Sequence, residues 1–447
     1  MKIHSRRGLV ALAFFLAGLA PLQVSAAQDT AETLASDSRA VIATVIDTDE
    51  ARTTPVPHRY IHGTILDDAK FQIFLPNTNW NGKVVIHTRG FSGTEFSTGA
   101  FLPAALAKGY AFASTDEGWN RVTIRNEPED TYYESRMRLV QLTKYTNETV
   151  RNYYGTRSTR TLIMGGSNGG HHTKWMVEDF PNLFDGGIAG YGYNGQISQW
   201  GGVAQVVRNY DIIAPRIDDI IAKRAADPNW DPFTQRLSPA LTGSQLVALR
   251  NIYDIPAKLK NGFSYNAGRV PGSEAQWKAQ YSSLVGYLRD SIPKWDPTFN
   301  PFGGDLRDEE LGLWNPAKSP GYIKQELRLL DLTGKLKRPI IIMHGTYDPI
   351  VATRETEGYK QLVEKILGRR AQDFLAVYYI PGMGHGGAQF DAQVGAQIDA
   401  LEAWIDYHRS NGRVGSPAPA SIGPYPRVPH GASGLPPIPS AEVQGKK

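Results

Sequence analysis

The run Thr161-Leu162-Ile163-Met164 passes without a break into Gly165-Gly166-Ser167-Asn168-Gly169-Gly170. No other feature limits so tightly what this chain can fold into. A short apolar, β-branched run bounded by glycine reads as a buried strand, and the residues after Gly170 have helical spacing. A serine on a sharp strand-to-helix turn, in a G-x-S-x-G pattern, presents its hydroxyl to solvent, and flanking glycines let the backbone turn without Cβ clashes. The helix N-terminus and the Asn168 N–H would then face any negative charge developing beside Ser167.

The surroundings repeat the strand–helix rhythm. Lys83–His87 is a strand feeding the glycine-rich loop Arg89-Gly90-Phe91-Ser92-Gly93. Helical spacing follows over 99–108, a strand over 110–114, and a helix over 132–154 that stops before Gly155. After Tyr193 the rhythm breaks into Trp-, Pro- and Asn-rich sequence with isolated helical patches such as 242–253. Pro339–Met343 restores a strand, and a helix over 353–367, a strand over 375–380 and a helix over 390–408 complete the pattern. Such alternation predicts a mostly parallel sheet with helices on both faces, interrupted by an insertion over 194–335.

Serine becomes a nucleophile only when a base takes its proton, and that base needs an orienting carboxylate. His344-Gly345-Thr346-Tyr347-Asp348-Pro349 follows the restored strand, and Pro381-Gly382-Met383-Gly384-His385-Gly386-Gly387 follows the next. Ser167, Asp348 and His385 therefore occur in the chain order of an α/β-hydrolase, each in a loop at a strand's C-terminal end. The second oxyanion donor falls to Gly90 or Phe91, beside Asn168. The same residue types would be idle if the elbow were an ordinary glycine turn.

Composition narrows the class. The 447 residues include no cysteine, which excludes disulfides, thiol nucleophiles and Cys-ligated metals. The formal charge of +4 suggests nucleic acid or an anionic membrane, yet much of it lies at the start. Lys2, Arg6 and Arg7 precede an apolar run from Gly8 to Leu22 and a Val24-Ser25-Ala26 cleavage site, the layout of a signal peptide over 1–26. Ser5–Leu9 also fits a twin-arginine export signal loosely. Cleavage after Ala26 would leave 45 basic against 44 acidic residues, which gives no reason to expect a nucleic-acid partner. No other stretch has the length and apolarity of a membrane span.

Several segments resemble the tannase and feruloyl esterase family of α/β-hydrolases. Leu75-Pro76 with Trp80-Asn81-Gly82-Lys83 is similar to the family's "LP…WNGR", and Thr115-Asp116-Glu117-Gly118 to its "TD-x-G". Tyr153-Tyr154-Gly155 ahead of the serine, Phe180-Pro181 to Phe184–Ile188 after it, and Leu241–Gln245 to Ile252-Tyr253 in the insertion follow the same order. His344-Gly345, Asp348-Pro349, Pro381–His385 and Pro424-Tyr425-Pro426 complete a likeness spanning about 55 to 430. The resemblance implies a secreted serine esterase acting on phenolic-acid esters, with Ser167 as nucleophile, Asp348 as acid partner and His385 as base. It also implies a lid over 194–335 within a catalytic domain made of 27–193 and 336–411. Two departures stand out. The family has disulfide-bonded cysteines next to the serine and the histidine, where this chain has Gly166 and Gly386. The family's calcium loop has no matching pattern over 205–232, so no metal or cofactor is carried over.

Phe91, Trp119, Tyr193 and Trp200 are aromatics near the expected cleft that could stack on an aromatic acyl group or simply pack; Trp119 and Tyr193 are the substrate-binding candidates. His171-His172 and the pair His58 and His62 fit packing better than metal ligation, and Asp116 fits a loop-bracing role. The segment 412–447 holds eight of the chain's 29 prolines and is expected to form an extended strap with a free end. A prolyl-oligopeptidase-like peptidase is the main alternative. Such enzymes place their acid closer to the serine, whereas 181 residues separate Ser167 from Asp348 here. A hydroxyalkanoate-oligomer or polyester hydrolase is a variant of the esterase reading, and a non-catalytic binding protein would be expected to show a damaged triad.

Overall fold

The computed structural model describes residues 44–66, 69–91, 93–118, 132–195, 212–227, 237–253, 256–258, 264–266, 321, 331–346, 348, 350–412, 415 and 417–434. The signal-peptide segment, Trp119, Trp200 and most of the insertion lie outside them. All described residues fall within one contact unit, 42–447.

The strands are β1 (Thr44–Arg52), β2 (His58–Ile65), β3 (Ala69–Pro76), β4 (Lys83–Thr88), β5 (Ala111–Thr115), β6 (Arg160–Gly166), β7 (Gly186–Gly190), β8 (Pro256–Lys258), β9 (Ser264–Asn266), β10 (Ile340–Gly345), β11 (Leu375–Ile380), β12 (Ser421–Ile422) and β13 (Tyr425–Pro426). The helices are α1 (Phe101–Ala107), α2 (Tyr132–Tyr154), α3 (Asn168–Asp179), α4 (Ile217–Ala226), α5 (Gly243–Tyr253), α6 (Thr353–Leu367), α7 (Ala388–Asp391) and α8 (Val394–Ser410). Nine strands form one sheet in the order β1-β2-β3-β5-β4-β6-β7-β10-β11. From β5 to β11 neighbouring strands are parallel, and β1, β2, β3 and β5 are antiparallel neighbours at the other edge.

The parallel strands are buried almost throughout because both faces are covered. Adjacent glycines of β7 show this directly. A Cβ at Gly186 would meet Leu401 and Ile405 of α8, and one at Gly187 would meet Thr173 and Val177 of α3. On the α8 face, Val85, Phe112, Leu162, Met164, Ile341, Met343 and Tyr378 cluster with Phe101, Leu106 and Trp404. The architecture is that of an α/β-hydrolase, as the strand–helix rhythm predicts.

Two sequence expectations are refined. The helix expected over 390–408 is split into α7 and α8, because the chain turns at Ala392-Gln393 and seats Phe390 in the core, 5.8 Å from the Phe101 ring. Segment 417–434 lies along β11: the Val428 N–H donates to Val377 O at 2.8 Å, Arg427 bridges Tyr378, and Ala418 and Ile422 are buried. It covers what would otherwise be an open sheet edge.

Candidate active site

Strand β6 ends at Gly166 and α3 begins at Asn168, so a single residue makes the turn. Ser167 takes φ 60° and ψ −123°, a conformation that costs a non-glycine residue on the order of 1–3 kcal/mol and persists only where the surroundings enforce it. Close packing provides that enforcement. The Ser167 N–H donates to Gly190 O at 3.0 Å. Thr88, closing β4, donates its hydroxyl to Gly169 O at 2.8 Å. A Cβ at Gly165 would fall on the Thr88 hydroxyl and carbonyl, and one at Gly169 would lie 2.9 Å from Arg89 O. The glycines of the motif thus let the loop after β4 lie directly against the serine turn.

The topology then brings the distant candidates together. β10 and β11 are parallel neighbours beyond β7, and their C-terminal loops carry Asp348 and His385. His385 Nε2 lies 2.8 Å from Ser167 Oγ, and His385 Nδ1 lies 2.7 Å from Asp348 Oδ2. With the carboxylate accepting from Nδ1–H, Nε2 is the nitrogen open to the serine proton. Asp348 is fully buried. Its other oxygen accepts the N–H groups of Ile350 and Val351, both at 2.9 Å, and His344 Nε2 approaches Oδ2 at 3.1 Å. Burial by itself would raise the Asp348 carboxyl, but His385 and His344 outweigh it and hold the group well below the usual carboxylate range.

These residues open onto a cavity of about 390 Å³. Gly90, Phe91 and Asn168 line it beside Ser167, so the candidate oxyanion donors and the candidate nucleophile share one space. Tyr193 lines it too, 5% exposed, its hydroxyl donating to Asn168 Oδ1 at 2.6 Å. His87 contributes to the wall, and burial pushes its pKa down to about 4, so it faces the cavity as a neutral ring.

Sequence reasoning missed what lies beneath. Arg89 is buried under the loop it opens. It donates to Asp116 O at 2.6 Å, Gly90 O at 2.9 Å and Phe91 O at 2.8 Å, and its guanidinium lies 3.6 Å from the fully buried Glu117 carboxylate. Glu117 in turn approaches His172 Nδ1 at 3.0 Å, and His172 Nε2 lies 3.3 Å from the Asn168 side chain. Burial works to raise Glu117, but His172, Arg89 and Arg136 overcome it and hold the carboxyl below its ordinary value, while burial pulls the His172 imidazole down. Arg136 donates to His171 Nε2 at 2.6 Å, which places the proton of that ring on Nδ1, toward Tyr193 O at 3.1 Å. The His171-His172 pair thus belongs to a buried charged network joining both sides of the candidate oxyanion hole. Asp116 braces loops, accepting from the Lys70 and Gly118 N–H groups at 2.8 and 2.9 Å. The one hint in sequence was an arginine at the end of an otherwise apolar strand.

Residues 62–220 match the family model described as tannase and feruloyl esterase. The chain is a carboxylic ester hydrolase similar to tannases and feruloyl esterases. An uncharacterized esterase of Agrobacterium fabrum is 21% identical over 76% of this chain and 74% of its own length. A probable feruloyl esterase B of Aspergillus niger is 25% identical over 53% of this chain and 52% of its own, so the chain matches about half of that protein. The crystal structure of feruloyl esterase B from Aspergillus oryzae superposes with a TM-score of 0.61 at 16% identity, covering 87% of this chain and 91% of that one; at that identity the likeness concerns the fold. Among the described residues of this esterase, no helix is long and apolar enough to cross a membrane, and no group of three His, Asp or Glu side chains gathers as for a metal ion.

Proposed function

We propose that the chain is a secreted serine carboxylic ester hydrolase that cleaves esters of aromatic or phenolic acids through an acyl-enzyme. The observation that carries this reading is the unbroken line Ser167 Oγ–His385 Nε2–His385 Nδ1–Asp348 Oδ2, with distances of 2.8 and 2.7 Å, at the wall of the cavity. Ser167 attacks the ester carbonyl as His385 takes its proton. The N–H groups of Asn168 and of Gly90 or Phe91 receive the developing oxyanion, preorganised where charge appears. His385 then protonates the leaving alcohol, and water enters by the same route to release the acid. Asp348 stays ionised and steadies the imidazolium.

Support for an aromatic acyl group comes from the walls: Phe91, Phe101 and Tyr193 all border the cavity, and flat apolar rings are recognised by such faces. Export rests on the layout of residues 1–26, with 194–335 as lid. No cofactor enters the scheme; the substrate is a small-molecule or oligomeric ester.

Fluorophosphonate labelling tests the mechanism. We expect one label per chain, lost in Ser167→Ala; folded protein that does not label would sink the serine mechanism. Turnover of methyl ferulate and methyl gallate, set against hydroxyalkanoate oligomers and a proline anilide, tests the substrate class. Cleavage of the anilide alone would favour the peptidase. N-terminal sequencing of the exported protein should begin after Ala26.

A further inference from the structure

We propose that Tyr191 is a positioning residue that clamps the serine turn and the histidine loop together; the proposal rests on the serine-esterase reading above. Tyr191 follows β7, the strand between the one that presents Ser167 and the two that present Asp348 and His385. Its N–H donates to Met343 O at 2.9 Å, tying it to β10. Its backbone takes φ 33°, a left-handed value rarely adopted by a bulky side chain. That strain aims the ring at the site.

The ring lies edge-on to the His385 imidazole, centroids 4.9 Å apart at 73°, and edge-on to Phe390 at 5.2 Å and 82°. Two glycines meet the hydroxyl end of the ring. Gly166 precedes the nucleophile and Gly386 follows the base. A Cβ at Gly166 would fall within contact distance of the Tyr191 hydroxyl and Cζ, and one at Gly386 would lie 3.0 Å from the same hydroxyl. Both catalytic loops thus lack side chains where they meet this ring, and the tyrosine fills the room. The loop carrying His385 is Gly382-Met383-Gly384-His385-Gly386-Gly387, which has few side chains of its own to hold the imidazole. The Tyr191 ring supplies a wall that His385 cannot rotate through while it spans Ser167 and Asp348.

The test is the second-order rate of Ser167 labelling by diisopropyl fluorophosphate, a probe small enough to leave acyl-group binding out of the reading. Tyr191→Phe keeps the ring and should label within about threefold of the parent. Tyr191→Ala and the bulkier Tyr191→Leu should label about 10- to 100-fold more slowly, as a small misplacement of a reacting group does. Gly166→Ala should slow labelling when Tyr191 is present, by pressing on the ring, and add little in the Tyr191→Ala background, a coupling that independent sites do not show. Full-rate labelling of folded Tyr191→Ala or Tyr191→Leu would overturn the clamp, as would a Tyr191→Phe variant as slow as Tyr191→Ala. If the parent protein itself fails to label, it is the serine mechanism that fails, not the clamp.

Discussion

Replacing Arg89 by methionine should separate two things this buried arginine does. The side chain is 1% exposed and its Glu117 partner is fully buried, so the substitution leaves a carboxylate in the interior with less compensation. Breaking such a pair costs about 3–5 kcal/mol. Arg136 and His172 still face Glu117, which argues for the lower end, about 3 kcal/mol. The lost bonds to Gly90 O and Phe91 O act on activity instead. Without them the loop bearing the proposed second oxyanion donor is no longer pinned, and loss of one donor costs on the order of 100-fold in turnover. Urea denaturation and kcat on a chromogenic phenolic ester measure the two effects. Adding Glu117→Gln should restore much of the stability by removing the stranded charge while leaving kcat low. The reasoning fails if folded Arg89→Met turns over within about threefold of the parent. It fails equally if the double variant is no more stable than the single one.

Asp116 should make stability depend on pH. Burial pushes its pKa up to about 6, against the N–H bonds that pull it down, whereas the unfolded carboxyl titrates near 3.9. Between those values the folded chain binds more protons than the unfolded one, so this group's contribution to stability falls as pH rises from about 4 through about 6 and is level above. Asp116→Asn can keep both accepted N–H bonds. It should flatten that slope and stabilise the protein at pH 8 by at most about 3 kcal/mol, read from urea midpoints at pH 5 and pH 8. Tyr193→Phe strands the Asn168 side-chain oxygen, Oδ1, and should cost about 1–3 kcal/mol of stability, with a matching drop in kcat that a panel of alkyl esters would report. Gly165→Ala meets a backbone carbonyl as well as the Thr88 hydroxyl and should destabilise by about 3 kcal/mol or more. Gly90→Ala, with nothing within 4 Å of the new methyl, should leave the unfolding midpoint within about 0.5 kcal/mol; equal losses in both would refute the packing argument.

The elbow and its flanking strand were readable from residue order alone. The run 161–164 is apolar because a parallel strand is buried on both faces, and Gly165 and Gly169 stand where the Ser167 turn meets Thr88. The contacts come from other strands and helices, but the residues that answer them lie within one short stretch, so the pattern is visible in sequence. Chain order then placed Asp348 and His385 after consecutive strands, and the parallel β10–β11 pair brings their loops together at Ser167. The split of 390–408 into α7 and α8 was not legible, since helical spacing is uninterrupted there and the turn at Ala392-Gln393 carries no glycine or proline to mark it. The buried line of Arg89, Glu117, His172 and Asn168, and the packing of Tyr191 against Gly166 and Gly386, emerge only in the folded chain. One cause underlies both. A buried charge or a strained ring is tolerable only beside partners that compensate it, and those partners come from other strands and helices that meet only when the sheet has formed.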